Sequence, residues 1–398
     1  MCKPEEVTVT SLSRTTDHLV IGGGLAGSMV GMRLAAAGRE VTLLERERAA
    51  HHKVCGEFLS HEAVEYLHQA GIDPLSLGAA PIRYTRLSVK RTLVEAALPF
   101  TALSLSRNVL DEAMLARAAQ SGCNVQRGAF VESLTSQDNT WCAELRDGDS
   151  WFAPVVFLAN GKHDLRGLSR EPCAQGDLVG FKMHMRLSPA QTEALRQFME
   201  LFLFPGGYGG LSLVEGDKAT FCFVVRRSAL RKTGGWTELL RSLQDDNPHL
   251  AERLQGAVPL WERPLAVSPI PYGYLARRPF GLWSVGDQAA VIPSFTGDGM
   301  SIALHSAALA ARMYLSRETT KQYYQELHHH LSRRMSLATA LSRAMVTSFG
   351  RAMVPLGLAL VPQAIGWIAS WTRIPHQAMV ANPTSAIDMR SSTIPARN

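Results

Sequence analysis

Residues 17–47, DHLVIGGGLAGSMVGMRLAAAGREVTLLERE, decide the fold. They read in order as an apolar strand, a glycine turn, a small-residue helix, a second strand and an acid, the layout of a dinucleotide-binding βαβ unit. Gly22 lets the chain turn sharply out of the first strand, Gly24 lets the backbone approach a pyrophosphate, and Gly27 lets the helix lie close to the sheet. The helix N-terminus adds free N–H groups and a positive dipole end for the phosphates. Ala26, Ser28 and Gly31 keep the buried helix surface thin, Gly38 ends the helix, and Val41 to Leu44 form the strand that delivers Glu45 to an adenosine ribose. Glu45 lies 18 residues past Gly27, close to the spacing of about 20 that this contact needs.

The 398 residues, 46% hydrophobic and 19% charged, suffice for two cores or one elaborated α/β domain. Residues 1–16 hold no apolar run, so no secretory signal is visible and a cytoplasmic location is expected. Cys2, Cys55, Cys123, Cys142, Cys173 and Cys222 form no C-x-x-C pair, which argues against zinc, iron–sulfur clusters and a disulfide framework. The formal net charge of +6 is spread along the chain. It suits an acidic substrate or a membrane surface, whereas nucleic acid is not indicated without a stacking or basic-helix motif.

A second informative segment is residues 280–312, FGLWSVGDQAAVIPSFTGDGMSIALHSAALAAR: a strand ending at Gly286-Asp287, a loop with Pro293, a glycine turn and an Ala-rich helix. The pair of segments resembles the FAD-binding core shared by class A aromatic hydroxylases of the para-hydroxybenzoate hydroxylase fold, geranylgeranyl reductases and flavin-dependent halogenases. The resemblance implies an α/β fold: a Rossmann-like FAD-binding βαβ domain, an inserted antiparallel β-sheet substrate domain and a helical C-terminal tail. It implies that Leu25, Ala26 and Arg46 join Gly22, Gly24, Gly27 and Glu45 at the cofactor, and that Asp287, after Gly286, binds the ribityl chain. Gly297, Asp298, Gly299 and Met300 match the turn aimed at the flavin, where N–H groups would stabilise negative charge on the reduced ring. Pro293 would sit beside the isoalloxazine.

Two further stretches carry the resemblance. Residues 103–126, LSLSRNVLDEAMLARAAQSGCNVQ, match a segment in which an arginine opens a helix beneath the cofactor, making Arg107 a candidate FAD ligand, with Asp111 and Leu115 on the same helical face. Residues 51–60, HHKVCGEFLS, resemble a loop of the reductase branch near the pyrophosphate and flavin, which draws in Lys53, Cys55 and Glu57. Where the hydroxylases carry Asp-Gly, this chain has Asn160-Gly161, which keeps hydrogen bonding but loses the charge tied to FAD and reduced nicotinamide binding. The sequence shows no second glycine-rich dinucleotide motif, so NADPH or NADH, if used, binds transiently or acts through a separate flavin reductase.

Between these motifs, residues 178–187, LVGFKMHMRL, alternate Val179, Phe181, Met183, Met185 and Leu187 with Lys182, His184 and Arg186, the pattern of a half-buried antiparallel strand. With 82–98, 198–204, 208–214 and 219–225 it predicts a second sheet. The resulting division is 15–80, 100–170 and 275–320 for the FAD domain, 81–99 and 171–274 for the substrate domain, and 321–398 for the tail. Lys182 and His184 either orient an anion or move a proton over the flavin, or form a solvated polar face. Tyr208 is the aromatic that survives where halogenases and geranylgeranyl reductases place tryptophan- or tyrosine-containing strand motifs, and its neighbouring glycines either open space for a bulky substrate or form a hairpin turn. The absence of W-x-W-x-I-P argues against halogenation.

Residues 319–349 carry a helical pattern in which His328, His329 and His330 point about 100° apart, which makes a poor metal site and reads as a surface cluster. No metal is expected. Residues 352–371 carry no charge but are broken by Pro355 and Pro362. They read either as a helix that covers a substrate mouth or dips peripherally into a membrane interface, or as buried core. The expected activity is an FAD-dependent monooxygenase hydroxylating a hydrophobic aromatic or polyketide-derived small molecule through a flavin C4a-hydroperoxide. The alternatives are a reductase of lipid double bonds similar to geranylgeranyl reductase, and a non-catalytic flavin-binding accessory protein.

Overall fold

The computed structural model describes residues 12–171, 175–277, 281–353, 371 and 373–380. The labelled elements are β1 (His18–Ile21), α1 (Leu25–Ala36), β2 (Val41–Glu45), α2 (His61–Gln69), β3 (Ala80–Val89), β4 (Thr92–Ser104), α3 (Arg107–Gln120), β5 (Asn124–Arg127), β6 (Val155–Leu158), β7 (Leu178–Arg186), β8 (Gln197–Phe204), β9 (Gly207–Leu213), β10 (Ala219–Arg226), α4 (Trp236–Asp246), β11 (Trp283–Ser284), α5 (Gly299–Leu315) and α6 (Thr320–Met345). Five of the strands form a parallel sheet in the order β11-β6-β1-β2-β5. β1 and β2 are buried throughout, which is why they read as unbroken apolar runs: parallel strands are covered on both faces. α1 lies so close to the sheet that a Cβ on Gly27 would come within 1.8 Å of the Gly22 carbonyl oxygen.

The other large layer is a nine-stranded sheet whose central order is β7-β10-β9-β8-β3-β4. Its pairing is antiparallel except between β8 and β3. The stretch 82–98 therefore spans two hairpin-linked strands of this sheet. One face packs Phe202, Phe204, Phe221 and Phe223 against Leu239 and Leu243 of α4, forming a second core. Because β7 is covered on both faces, the expectation of a half-buried strand is corrected: Lys182 and His184 are buried as completely as their apolar neighbours.

A capping box at Thr319 and Gln322 opens α6, and the Tyr323 and Tyr324 hydroxyls donate to the Ser284 and Leu282 carbonyls at 2.9 and 2.8 Å. The helix is thereby fastened to the parallel sheet. The surface reading of the histidine run holds for exposed His329 but is corrected for its neighbours: His328 Nε2 meets the Ala276 carbonyl at 2.8 Å, and buried His330 meets His305 at 3.0 Å. Of residues 352–371, only 352, 353 and 371 are described, so the broken helix expected there lies outside the described residues. Among the described residues no helix is long and apolar enough to cross a membrane.

Candidate functional site

Two cavities meet inside the molecule. A cleft of about 410 Å³ runs along the glycine turn, past Gly22, Gly24, Leu25, Ala26, Glu45 and Arg46. A larger cavity of about 710 Å³ lies over the second sheet and is walled mainly by carbon. Both are lined by Val54, Cys55, Lys162, Asp287, Gly299 and Met300, which mark their junction.

Where the cleft passes the glycine turn, the missing side chain of Gly24 leaves room for two cations. A Cβ there would lie 3.3 Å from Lys53 Nζ and 3.5 Å from an Arg107 guanidinium nitrogen. Asp111 holds both, accepting from Arg107 at 2.7 and 2.9 Å and pairing with Lys53 at 2.8 Å. Burial alone would raise the Asp111 pKa, but Arg107 and Lys53 outweigh it and bring it to about 2. Asp111 in turn outweighs the burial that would weaken Arg107, whose pKa is raised. Arg107 is thus a half-buried, paired cation at the start of α3. Two cations against one carboxylate, beside the N-terminus of α1, leave a net positive charge suited to a pyrophosphate.

Glu45 is buried at the end of β2, accepting from Gly23 N at 2.7 Å and Glu47 N at 2.9 Å, while Arg46 is half exposed and paired with Glu47 at 3.0 Å. Asn160 and Gly161 line the same cleft. The Asn160 amide donates to the His163 carbonyl at 2.5 Å, and its Oδ1 is buried without a hydrogen-bond partner among the described residues. The Gly24 cradle, with Lys53 and Arg107 beside it, fits a dinucleotide of the FAD type.

At the junction Asp287, following Gly286 with φ +61°, pairs with Lys162 at 3.3 Å. Burial would lower the Lys162 pKa, but Asp287 and Cys55 raise it. Lys162 was not singled out from sequence, where no spacing marks it. Gly297 takes φ +74°, and a Cβ there would lie 2.5 Å from the Phe58 ring, so the turn is closed to other residues. Asp298 is buried and pairs with Arg373 at 2.6 Å, while Gly299 and Met300 start α5 at the junction. Pro293 is buried between two cavity residues, Ile292 and Ser294, and does not itself line the wall.

Of the residues expected to act on substrate, Tyr208 forms part of the cavity wall, with its hydroxyl 3.3 Å from Ser342 Oγ. Burial raises its pKa, so the hydroxyl stays protonated. Lys182 and His184 do not line either cavity; they are neither solvated nor open to a ligand. Both bind Glu57, a buried cavity-wall residue held at φ +60°. Its Oε1 accepts from Lys182 Nζ and, at 2.8 Å, from Arg107 N; its Oε2 lies 2.7 Å from His184 Nε2. Burial would raise the Glu57 pKa, but Lys182 and His184 bring it down to about 2. The carboxylate therefore joins the second sheet to the cofactor-side helix. His52 meets His184 edge-on with ring centroids 4.8 Å apart, making His52, Glu57 and His184 a geometric metal candidate. The Lys182 ammonium on the same carboxylate opposes a cation there.

Residues 15–150 match the FAD binding domain family. The match and the relatives below support the chain as an FAD-dependent oxidoreductase. It is 24% identical to digeranylgeranylglycerophospholipid reductase 2 of Methanopyrus kandleri, across 75% of this chain and 76% of that protein. It is also 24% identical to menaquinone reductase of Mycolicibacterium smegmatis, across 83% and 85%. Its fold is similar to that of halogenase PltM, with a TM-score of 0.70 at 16% identity over 95% of this chain and 90% of that one. PqsL from Pseudomonas aeruginosa gives 0.70 at 17% identity, over 87% and 100%.

Proposed function

We propose that this protein reduces a carbon–carbon double bond of a lipophilic, isoprenoid-bearing molecule. The observation that carries the reading is the large carbon-walled cavity meeting the cofactor cleft at Cys55, Lys162, Asp287, Gly299 and Met300. The relatives named as reductases, similar across three quarters or more of this chain, support it. FAD, when bound and reduced, supplies the hydride. Arg107, Lys53, Gly24 and Glu45 bind the dinucleotide, while Lys162 and the N-terminus of α5 favour negative charge at the junction. The apolar wall excludes water. Tyr208 Oη, kept protonated by burial, is the cavity-wall atom suited to act as a general acid, and Ser342 orients it. Met353 lines the cavity and is 47% exposed, and Phe349, one turn earlier, is 76% exposed. In this reading they form an apolar rim that meets a membrane surface carrying the substrate.

The test is to reduce the FAD-loaded protein anaerobically with dithionite and add geranylgeraniol or a geranylgeranyl phospholipid. Flavin reoxidation without oxygen, matched by a dihydro product, supports the reading. Product formation only after admission of oxygen, with an added hydroxyl, would replace it with monooxygenation. Parallel reduction with NADPH or NADH identifies whether a separate electron donor is needed.

A further inference from the structure

We infer that Gly210 sets the shape of the substrate cavity, its missing side chain being space reserved for ligand. The inference rests on the reading of the large cavity as the site of a lipophilic substrate. Strand β9 follows a turn in the sequence Pro205-Gly206-Gly207-Tyr208-Gly209-Gly210, whose glycines differ in what surrounds them. Gly206 has φ +76° and belongs to the turn. A Cβ on Gly207 would lie 2.3 Å from the Phe204 ring and from the Val224 carbonyl oxygen, and one on Gly209 would lie 2.5 Å from Phe223 Cβ. These two are required by the protein's own packing.

Gly210 is not. A Cβ there would meet Met199 Sδ at 3.4 Å, the Glu200 carbonyl oxygen at 3.6 Å and Leu201 Cδ2 at 3.6 Å, all ordinary contacts. Its φ is not positive, so the backbone does not call for glycine either. A glycine inside a strand costs stability relative to alanine, and at Gly210 no fold requirement repays that cost.

Register shows which face Gly210 occupies. It pairs with Cys222 on one side and Leu201 on the other, and Leu201 pairs with Leu87. Residues directly opposite on adjacent strands share a face, and all four of these line the large cavity. Cys222 also pairs with Lys182, the residue bound to Glu57. The row Cys222–Gly210–Leu201–Leu87 is thus a floor about 14 Å long at the usual strand spacing. A side chain at position 210 would stand as a partition between its Cys222 and Leu201–Leu87 ends.

The experiment compares the FAD-loaded wild type with Gly210→Leu, Gly210→Ala and Gly209→Ala. Calorimetric titration uses geraniol, farnesol and geranylgeraniol as probes, with thermal midpoint and bound flavin measured in parallel. Gly210→Leu is expected to keep its flavin and to bind geranylgeraniol about tenfold more weakly, the size of an ordinary overpacking effect, with less change for geraniol. Gly210→Ala should melt near the wild type, whereas Gly209→Ala should melt well below it. Unchanged binding of all three probes by Gly210→Leu would overturn the inference alone. So would a Gly210→Ala midpoint as low as that of Gly209→Ala, because the glycine would then be structural. A wild type that binds none of the probes would overturn the substrate reading and this inference with it.

Discussion

Changing Glu57 to glutamine tests whether its carboxylate is the electrostatic link between the second sheet and the cofactor domain. The substitution keeps the shape but removes the charge that faces Lys182, a fully buried ammonium, and His184. Holding this carboxyl from 4.5 down to about 2 is worth about 3 kcal/mol, since each pKa unit corresponds to about 1.4 kcal/mol. Leaving Lys182 without a counter-charge points to a similar figure, as breaking a buried ion pair costs about 3–5 kcal/mol. Urea unfolding of the FAD-loaded protein at pH 7, followed by tryptophan fluorescence, should therefore show Glu57→Gln destabilised by about 3 kcal/mol or more. Because the folded carboxyl is more acidic than the unfolded one, its contribution is complete above pH 4.5. It drains away as pH falls towards 2, so the gap between wild type and variant should narrow over that window. Adding Lys182→Met to Glu57→Gln should recover much of the loss, because the stranded charge is gone. A single variant within about 0.5 kcal/mol of wild type, or a double variant no better than the single, would refute the argument.

Two further outcomes follow from packing and from a buried base. Gly27→Ala should prevent accumulation of flavin-loaded protein, since its Cβ would overlap the Gly22 carbonyl. Gly31→Ala should be milder, because its 3.0 Å neighbour is the Cys123 side chain, which can shift; expression yield and bound-flavin absorbance separate the two. His305 is held neutral by burial, reinforced by His330 and Arg312, with its pKa lowered from 6.5 to about 3. The unfolded chain takes up this proton below pH 6.5 and the folded one does not, so stability should fall between pH 6.5 and about 3 by up to about 1.4 kcal/mol per pH unit. His305→Gln should flatten that slope in unfolding titrations, and an unchanged slope would assign it to other groups.

The legible parts of the site are those whose partners are close in the chain. The β1–α1–β2 unit, Glu45 at the end of its strand, and Arg107 one turn from Asp111 all follow from local periodicity and steric limits. The alternation in β7 likewise separated Lys182 and His184 from their apolar neighbours. It could not say what covers the polar side, and a solvated face and a buried network have the same period.

The sequence by itself determined the dinucleotide unit, the glycine turn that opens the later helix and the strand-rich segment between them, because each depends on steric and hydrogen-bonding rules acting over a few residues. Only the tertiary structure decided that Glu57 gathers donors from 125 and 127 residues away, that Lys162 faces Asp287, and that Arg373 reaches back to Asp298. It also decided which of the β9 glycines serve packing and which opens onto the cavity. Burial of a charge or of empty space is created by chain segments meeting across the fold, and no local spacing encodes such a meeting.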